Sequence, residues 1–320
     1  MLVTGAGGFI GSHLTERLVE LGASTRAFVH YNSQGSWRWL DQSPLRDSIE
    51  VIAGDVSDRD SICRAMQGIE IVFHLAALIA IPYSYHAPAS YVHTNIVGTL
   101  NLLQGVREHN VERIVLTSTS EVYGTACYVP MDESHPLKGQ SPYSASKIGA
   151  DKLAEAFHLS FGLPVVTVRP FNTFGPRQSA RAVIPTIITQ CLTQKKILLG
   201  NMHPTRDFNY ISNIIDGFVL AASVPLAIGQ TINLGSGQEI SIGKLTQIIA
   251  RLLGHPLVVE NDGQRVRPDK SEVGRLLSDN TLARTLLEWE PRVGLEEGLV
   301  RTIEWIQQHI ERYRTDAYVL

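Results

Sequence analysis

The sequence predicts an α/β protein with a doubly wound parallel sheet, and three observations support this fold class. Short β-rich segments alternate with helical patterns through the first half of the 320-residue chain. A glycine-rich turn joins the first of these segments to the first helical pattern. Parallel neighbours need a crossover long enough to hold a helix, so the alternation favours parallel over antiparallel pairing.

The elements of this sheet follow in chain order. Residues 1–4 form a β-rich run, and residues 12–21 form a helix because leucines recur on one face, with Gly22 at its end. Five further strands are predicted at residues 25–29, 49–53, 71–75, 114–117 and 165–169.

Gly5, Gly8 and Gly11 are spaced three residues apart between the first strand and the first helix. This spacing lets the backbone turn tightly and approach a pyrophosphate without a Cβ in the way, while the helix N-terminus favours the anion. The turn therefore predicts a Rossmann dinucleotide site that also includes Phe9 and Ile10. A tight turn without a ligand is the alternative.

Later strand ends add candidates for the cofactor site. Asp55 follows the third strand, where its carboxylate can accept from an adenine amino group or can simply be solvated. Val56 stands beside it. The fourth strand is followed by Leu75, Ala76 and Ala77, a segment whose small residues let a cofactor backbone pass.

The second strand leaves the choice between NAD and NADP open. A site that prefers NAD usually carries an acid at the end of this strand to hold the ribose diol. Residues 28–33 contain no acid. Asn32, Ser33 and Arg38 can instead accept a 2′-phosphate. We therefore expect NAD(P) as the cofactor, and the residues favour NADP.

After Pro170 the pattern loosens because prolines separate shorter elements. This change predicts a second, smaller mixed α/β domain that binds substrate over the carboxyl edge of the sheet. Residues 232–235 predict one more strand of the large sheet, so the two domains interleave in sequence. We expect a dinucleotide-binding domain of residues 1–175 and about 207–236, and a substrate-binding domain of about 176–206 and 237–320.

The composition narrows the partners. A formal net charge of −3 gives no reason to expect nucleic acid or an anionic membrane as a partner. The longest apolar stretch, residues 71–82, is too short to span a bilayer, and no basic leader precedes the first strand, so we expect a cytoplasmic protein. Cys63, Cys127 and Cys191 are odd in number and widely spaced, which favours buried thiols over disulfides or a metal site.

Tyr143 and Lys147 are spaced by four residues, so both side chains share one face of a helix. A nearby ammonium favours the phenolate, which can take the proton as hydride leaves a carbinol. Thr119, Ser120 and Glu121 add two hydroxyls and a carboxylate about twenty residues earlier. The five residues are the candidate catalytic set.

Together these motifs resemble the extended short-chain dehydrogenase/reductase family, in the NAD-dependent epimerase/dehydratase branch that modifies nucleotide sugars. The resemblance covers nearly the whole chain, through residues 4–11, 54–55, 74–77, 95–99, 122–124, 143–147, 169–172, 175–177 and 206–208. It implies that Thr119 bonds the 4-hydroxyl of the sugar, that Tyr143 is the base and that Lys147 holds the nicotinamide ribose.

The resemblance also implies that Asn172, Arg206 and Arg267 hold the nucleotide diphosphate. Tyr83, in a loop after the fourth strand, and Arg177 are further substrate candidates. Alternatives without substrate contact remain for several of these residues. The arginines can be solvated, Arg206 can pair internally with its neighbour Asp207, and the aromatic residues near Tyr83 can pack on their own domain.

Glu121 is the residue that separates two reactions of this family. Epimerases typically have a small or apolar residue there, whereas 4,6-dehydratases carry Thr-x-Glu before Val-Tyr-Gly. Once C4 is a ketone, the C5 proton is acidic, and a carboxylate can remove it as the 6-hydroxyl leaves. Ser120 stands where glucose-type dehydratases have the acid, so either Glu121 shuttles the proton or Ser120 relays it through water. A buried structural acid paired with Arg or Lys is the alternative for Glu121.

The Thr-Ser-Glu form resembles the GDP-mannose type of dehydratase. Residues 31–41 and 267–273 resemble the N-acetylglucosamine nucleotide 4,6-dehydratases of legionaminic-type sialic acid pathways. We therefore expect a 4,6-dehydratase of UDP- or GDP-N-acetylglucosamine or a related NDP-hexose. The alternatives are a 4-epimerase on the same scaffold and a non-catalytic NADP-sensing protein. The resemblance further implies a homodimer that pairs helices near residues 95–108 and 143–159.

Overall fold

The computed structural model describes residues 1–256 and 258–313. In this part of the chain the strands are β1 (Leu2–Thr4), β2 (Thr25–His30), β3 (Ile49–Gly54), β4 (Ile71–His74), β5 (Arg113–Thr117), β6 (Val165–Pro170), β7 (Asn172–Phe174), β8 (Ile197–Leu199), β9 (Thr205–Tyr210), β10 (Thr231–Leu234), β11 (Glu239–Ser241) and β12 (Val259–Asn261). The α-helices are α1 (Phe9–Glu20), α2 (Arg59–Met66), α3 (Ile81–His86), α4 (Pro88–Tyr91), α5 (Gly98–Glu108), α6 (Pro142–Phe161), α7 (Val183–Thr193), α8 (Ile211–Ser223), α9 (Ile242–Leu253), α10 (Thr281–Leu287) and α11 (Leu295–Gln308).

The large sheet has seven strands in the order β10-β6-β5-β4-β1-β2-β3, and each neighbouring pair is parallel. Successive side chains of a strand point to opposite faces, and β1 follows this rule. Val3 packs in one buried cluster with Leu14 of α1, whereas Leu2 packs in another with Ile62 of α2. The predicted doubly wound parallel sheet is therefore confirmed, with a crevice where the strand order reverses between β1 and β4.

The predicted strands agree with the observed ones to within one residue at either end. Helix α1 begins earlier than predicted, at Phe9, because Gly8 takes the extended N-cap conformation and the first turn needs no leucine. The alternation of Trp37 and Trp39 is compatible with a strand, a packed turn or a lid over the cofactor, and the structure places them at a 3₁₀ helix of residues Arg38–Gln42. There Trp39 packs edge-on against Trp305 of α11, with ring centroids 5.3 Å apart.

Strand β10 joins the large sheet beside β6, as the sequence predicts. The smaller part of the molecule contains a three-stranded sheet, β11-β9-β7, and a two-stranded sheet, β12-β8. The three-stranded sheet is mixed, because β9 pairs antiparallel with β11 and parallel with β7. One buried cluster runs from Val3 and Phe73 of the large sheet to Phe208 and Ile303, so the two sheets share a core. The predicted domain boundaries stay a prediction.

Asn95 lies in a π-helical segment, Val92–Val97, that connects α4 to α5. Its amide accepts from the main-chain N–H of Leu78 at 2.9 Å and donates to the Leu78 carbonyl at 2.9 Å. It also donates to Ser146 of α6 at 2.9 Å. The Asn95 side chain therefore fixes the segment after β4 against α6.

The cysteines depart from the expectation of buried thiols. All three are free, but only Cys191 is buried, while Cys63 is half-buried and Cys127 is exposed. Burial raises the pKa of the Cys191 thiol to about 11. Within residues 1–256 and 258–313, no helix has the length and apolar content to cross a membrane.

Candidate active site

The carboxyl edge of the large sheet opens into a cavity of about 870 Å³. The glycine turn, the segments after β4 and β5 and the start of α6 line one side of it. Residues of β7, β9 and the segment 264–272 line the other side. The cavity therefore brings the predicted cofactor, catalytic and diphosphate-binding residues together across both parts of the molecule.

The glycine turn fits a dinucleotide because its close approaches leave no room for side chains. Gly5 has φ +69°, and a Cβ there would lie 2.8 Å from the Ala76 nitrogen. A Cβ on Gly11 would lie 2.2 Å from the Gly5 oxygen. The N-terminus of α1 has neither a side-chain cap nor an acidic residue in its first turn, so its N–H groups are suited to a pyrophosphate. Phe9, Ile10, Asp55, Val56 and residues 75–77 line the same cavity.

The Thr4 hydroxyl connects β1 to the end of β4 through hydrogen bonds. It accepts from the N–H groups of Leu75 (3.1 Å) and Ala76 (3.2 Å), and it bonds the Nδ1 of His74 at 2.8 Å. The other ring nitrogen of His74 bonds the Thr99 hydroxyl at 3.2 Å. Burial lowers the pKa of His74 to about 3, so its ring is neutral. This chain of bonds holds the segment after β4 beside the glycine turn, a role that sequence reasoning missed.

Tyr143 and Lys147 lie one turn apart on α6 and are both buried, with 7% and 4% of their surface exposed. The Lys147 ammonium donates to the Thr117 carbonyl at 2.6 Å. Burial lowers the pKa of Lys147, and the Asp151 carboxylate opposes this shift. Burial raises the pKa of Tyr143, a hydrogen bond with Thr119 lowers it, and the charge of Glu121 raises it. Tyr143 is therefore a protonated phenol before ligands bind.

Thr119 caps a 3₁₀ helix, Ser120–Tyr123, that begins just after β5. Its hydroxyl accepts from the Glu121 N–H at 3.2 Å. Ser120 and Glu121 line the cavity with Tyr143. In the described part of the chain the Glu121 carboxylate forms neither a hydrogen bond nor a salt bridge, but its charge acts on both Arg206 and Tyr143.

Asp151 extends the stripe of Tyr143 and Lys147 by one more turn of α6, and sequence reasoning missed it. Its Oδ2 accepts from the Ser118 hydroxyl at 2.7 Å and from Arg169 at 3.1 Å. Both members of this ion pair are buried. The spacing of four residues between Lys147 and Asp151 was the feature of the sequence that could have identified Asp151. The network ties α6 to the ends of β5 and β6.

Arg206 and Arg267 approach one carboxylate, that of Glu272, with N–O distances of 3.2 and 3.9 Å. Burial lowers the pKa of Arg206, while Glu121 and Glu272 act to raise it. The alternative in which Arg206 pairs with Asp207 is wrong, because adjacent strand residues face opposite ways. Asp207 instead accepts from main-chain N–H groups, at residues 236, 237 and 278.

Asn172 lines the cavity, and its buried Oδ1 has no hydrogen-bond partner in the described residues. Arg177 does not line it. The guanidinium of Arg177 forms a bidentate pair with Glu16 of α1, at 2.8 and 3.0 Å. Tyr83 does not line it either: its ring lies 6.3 Å from that of Tyr91, and 42% of its surface is exposed. The neighbouring Tyr85 reaches the cavity instead and bonds the Ser271 hydroxyl at 2.6 Å.

Of the residues proposed for a 2′-phosphate, Arg38 lines the cavity, whereas Asn32 and Ser33 do not. Arg38 lines the cavity from a left-handed backbone conformation, with φ +59°. Asn32 uses its amide within its own turn, donating to the Ser36 carbonyl at 2.8 Å and accepting from the Ser36 N–H at 3.1 Å. Ser33 is exposed and lies outside the cavity lining.

Comparison with known proteins identifies the family of this chain. Residues 2–302 match the family model described as GDP-mannose 4,6 dehydratase. The chain belongs to this family. The resemblance to extended short-chain dehydrogenase/reductases is thereby confirmed.

Members of the GDP-mannose 4,6-dehydratase family with different reactions are equally similar to the chain. It is 32% identical to a UDP-glucose 4-epimerase of Mycolicibacterium smegmatis, over 96% of this chain and 98% of the relative. It is also 32% identical to a dTDP-glucose 4,6-dehydratase of Actinoplanes sp., over 95% and 97% of the two chains. Overall identity therefore places the chain among sugar-nucleotide dehydratases and epimerases without choosing between them.

A solved structure extends the comparison to the cofactor. The dTDP-glucose 4,6-dehydratase DesIV of Streptomyces venezuelae, solved with NAD bound, superposes with a TM-score of 0.88 at 29% identity. The match covers 98% of each chain. The fold of this chain is therefore shared with an enzyme solved with NAD bound.

Proposed function

We propose that the protein is a nucleotide-sugar 4,6-dehydratase that converts UDP- or GDP-N-acetylglucosamine, or a related NDP-hexose, to the 4-keto-6-deoxy sugar. The observation that carries this proposal is the position of the Glu121 carboxylate, which lines the same cavity as Tyr143 and is near enough for its charge to act on the pKa of Tyr143. An epimerase needs the phenol and the cofactor, but it has no use for a carboxylate at C5.

The assigned roles follow from the positions of the side chains. A bound nicotinamide dinucleotide supplies the reversible hydride acceptor that the reaction needs. The Lys147 ammonium favours the phenolate form of Tyr143, and this phenolate takes the proton of the 4-hydroxyl, which Thr119 orients. Glu121 then removes the C5 proton of the 4-keto sugar. The 6-hydroxyl leaves as water with a proton from Glu121, directly or relayed by the buried Ser120. Return of the hydride to C6 and addition of a proton from solvent at C5 then give the 4-keto-6-deoxy sugar.

Turnover in deuterated water distinguishes this reaction from epimerisation. The protein is incubated with UDP- and GDP-N-acetylglucosamine, and the products are followed by NMR. Deuterium at C5 together with loss of the 6-hydroxyl is the expected result. A C4 epimer without exchange at C5 would replace the dehydratase by the 4-epimerase, and no conversion of either sugar nucleotide would favour the non-catalytic alternative.

The same cavity supports NADP as the preferred cofactor. Strand β2 ends at His30 without an acid for the ribose diol, and Arg38 lines the cavity nearby. The cofactor released from purified protein and identified by mass tests this preference. Substitution of Arg38 by Asn, which tolerates a positive φ, should weaken NADP binding and leave NAD binding unchanged. Equal loss for both dinucleotides would assign Arg38 a structural role.

We also propose a homodimer through the outer faces of α5 and α6. Leu159 and Phe161, two apolar residues within one turn at the end of α6, expose 76% and 53% of their surface and offer apolar area to a partner. Light scattering after size exclusion should give twice the chain mass of 35.3 kDa. A monomer at micromolar concentration would contradict this assembly.

A further inference from the structure

Glu272 lies between the two arginines that face the cavity. Its Oε1 is 3.2 Å from Arg206 and 3.9 Å from Arg267. The Arg206 side chain is 7% exposed and that of Glu272 is 19% exposed, so this contact is well shielded from water. The same guanidinium of Arg206 also donates to the Thr205 carbonyl at 2.9 Å.

A buried arginine without a counter-charge is costly, and two neighbouring arginines are more so. Glu272, which lies within 4 Å of both arginines, and Glu121, whose charge also acts on Arg206, supply the negative charge that balances this pair. The balance is incomplete, because one nitrogen of Arg267, Nη1, is buried without a hydrogen-bond partner in the described residues. The cluster is therefore suited to an anion with more acceptor oxygens than one carboxylate.

We propose that Glu272 is a placeholder counter-ion that a nucleoside diphosphate displaces from Arg206 and Arg267. This inference depends on the proposed function, since it takes a nucleoside diphosphate as the ligand of the arginines. The ligand's oxygens replace those of the carboxylate, so binding breaks the ion pair with Glu272. Glu272 then stabilises the nucleotide-free protein and weakens nucleotide binding, which favours release of the product.

A different role predicts the opposite effect. If Glu272 itself accepted a hydrogen bond from the bound nucleotide, for example from a ribose hydroxyl, its removal would weaken binding. If it served only to stabilise the fold, its removal would lower the melting temperature and leave affinity unchanged. The sign of the change in affinity therefore decides between these roles.

The test measures UDP and GDP binding by calorimetry, with melting temperatures with and without nucleotide, for wild-type protein and Glu272→Gln. Glu239→Gln is the matched control, because Glu239 pairs with Arg275 in an ion pair that does not line the cavity. We expect Glu272→Gln to lower the melting temperature measured without nucleotide. We also expect it to tighten binding at least about tenfold, because a like charge beside the diphosphate is removed. The control should leave affinity unchanged.

Glu272→Asp keeps the charge but withdraws it from Arg206, and it should give an intermediate gain in affinity. Unchanged or weaker binding by Glu272→Gln, with normal binding by the wild type, would overturn this inference alone. Failure of the wild type to bind either nucleotide would overturn both this inference and the proposed function.

Discussion

At the scale of single residues, the proposed reaction divides its acid–base work between Tyr143 and Glu121. Tyr143 is buried, and its pKa is raised by burial, so it needs the positive charges of Lys147 and of the bound cofactor to act as a base. Glu121 lines the cavity without an ion-pair partner in the described residues. The two groups therefore serve successive proton transfers.

Substitution of Glu121 by Gln should separate these steps. The amide keeps the shape of the side chain but cannot take the C5 proton, so oxidation at C4 proceeds and elimination stops. We expect reduced cofactor to accumulate, visible by its absorbance, while the 4-keto-6-deoxy product falls by at least about 10²-fold. Normal turnover by Glu121→Gln would refute the role of Glu121.

Substitution of Tyr143 by Phe should instead stop the first step. We expect cofactor reduction by substrate to fall by at least about 10²-fold. In the wild-type protein the active form is the phenolate, and burial raises the pKa of Tyr143, so the rate of cofactor reduction should increase with pH. Undiminished reduction in Tyr143→Phe, measured by stopped-flow absorbance, would contradict the assignment.

At the scale of elements, the sequence predicted strands well because each is a short apolar run bounded by turn residues. It did not resolve the segment of Trp37 and Trp39, since two alternating aromatics are too few to define a period. It also placed Arg177 and Tyr83 with the substrate, whereas neither side chain lines the cavity and Arg177 pairs with Glu16. Spacing from a motif fixes the backbone position of a loop residue but not the direction of its side chain.

The glycine turn gives the prediction at this scale. Gly11→Ala should disrupt the turn, because the new Cβ would lie 2.2 Å from the Gly5 oxygen. We expect weaker binding of nicotinamide dinucleotide by at least tenfold and a lower melting temperature, at about 1–3 kcal/mol for overpacking. Gly243→Ala is the control, since its Cβ would meet nothing closer than 3.6 Å. Equal dinucleotide affinity in the two variants would show that the turn tolerates a side chain.

At the scale of the whole molecule, the crevice depends on β1 and β4 staying together, and the neutral ring of His74 contributes to that. Burial lowers the pKa of His74 to about 3, below the value of about 6.5 of an unfolded chain. Between these two pKa values the His74 ring is protonated in the unfolded chain but neutral in the folded protein. Stability is therefore complete above pH 6.5 and declines as the pH falls toward 3.

This linkage can be measured by chemical denaturation between pH 4 and pH 7.5. One such histidine contributes a slope of up to about 1.4 kcal/mol per pH unit. His74→Gln should flatten the slope, whatever it does to the absolute stability, whereas His203→Gln at an exposed position should not. An unchanged slope in His74→Gln would show that other groups govern the acid sensitivity.

The sequence by itself determined the parallel sheet, the glycine turn and the tyrosine–lysine pair of α6. Each depends on residues close together in the chain, where periodicity and spacing fix geometry. Only the tertiary structure decided which charges meet: Arg177 pairs with Glu16, 161 residues away, and Arg206 with Glu272, 66 residues away. Such partners follow from the packing of distant elements, and no local spacing encodes them.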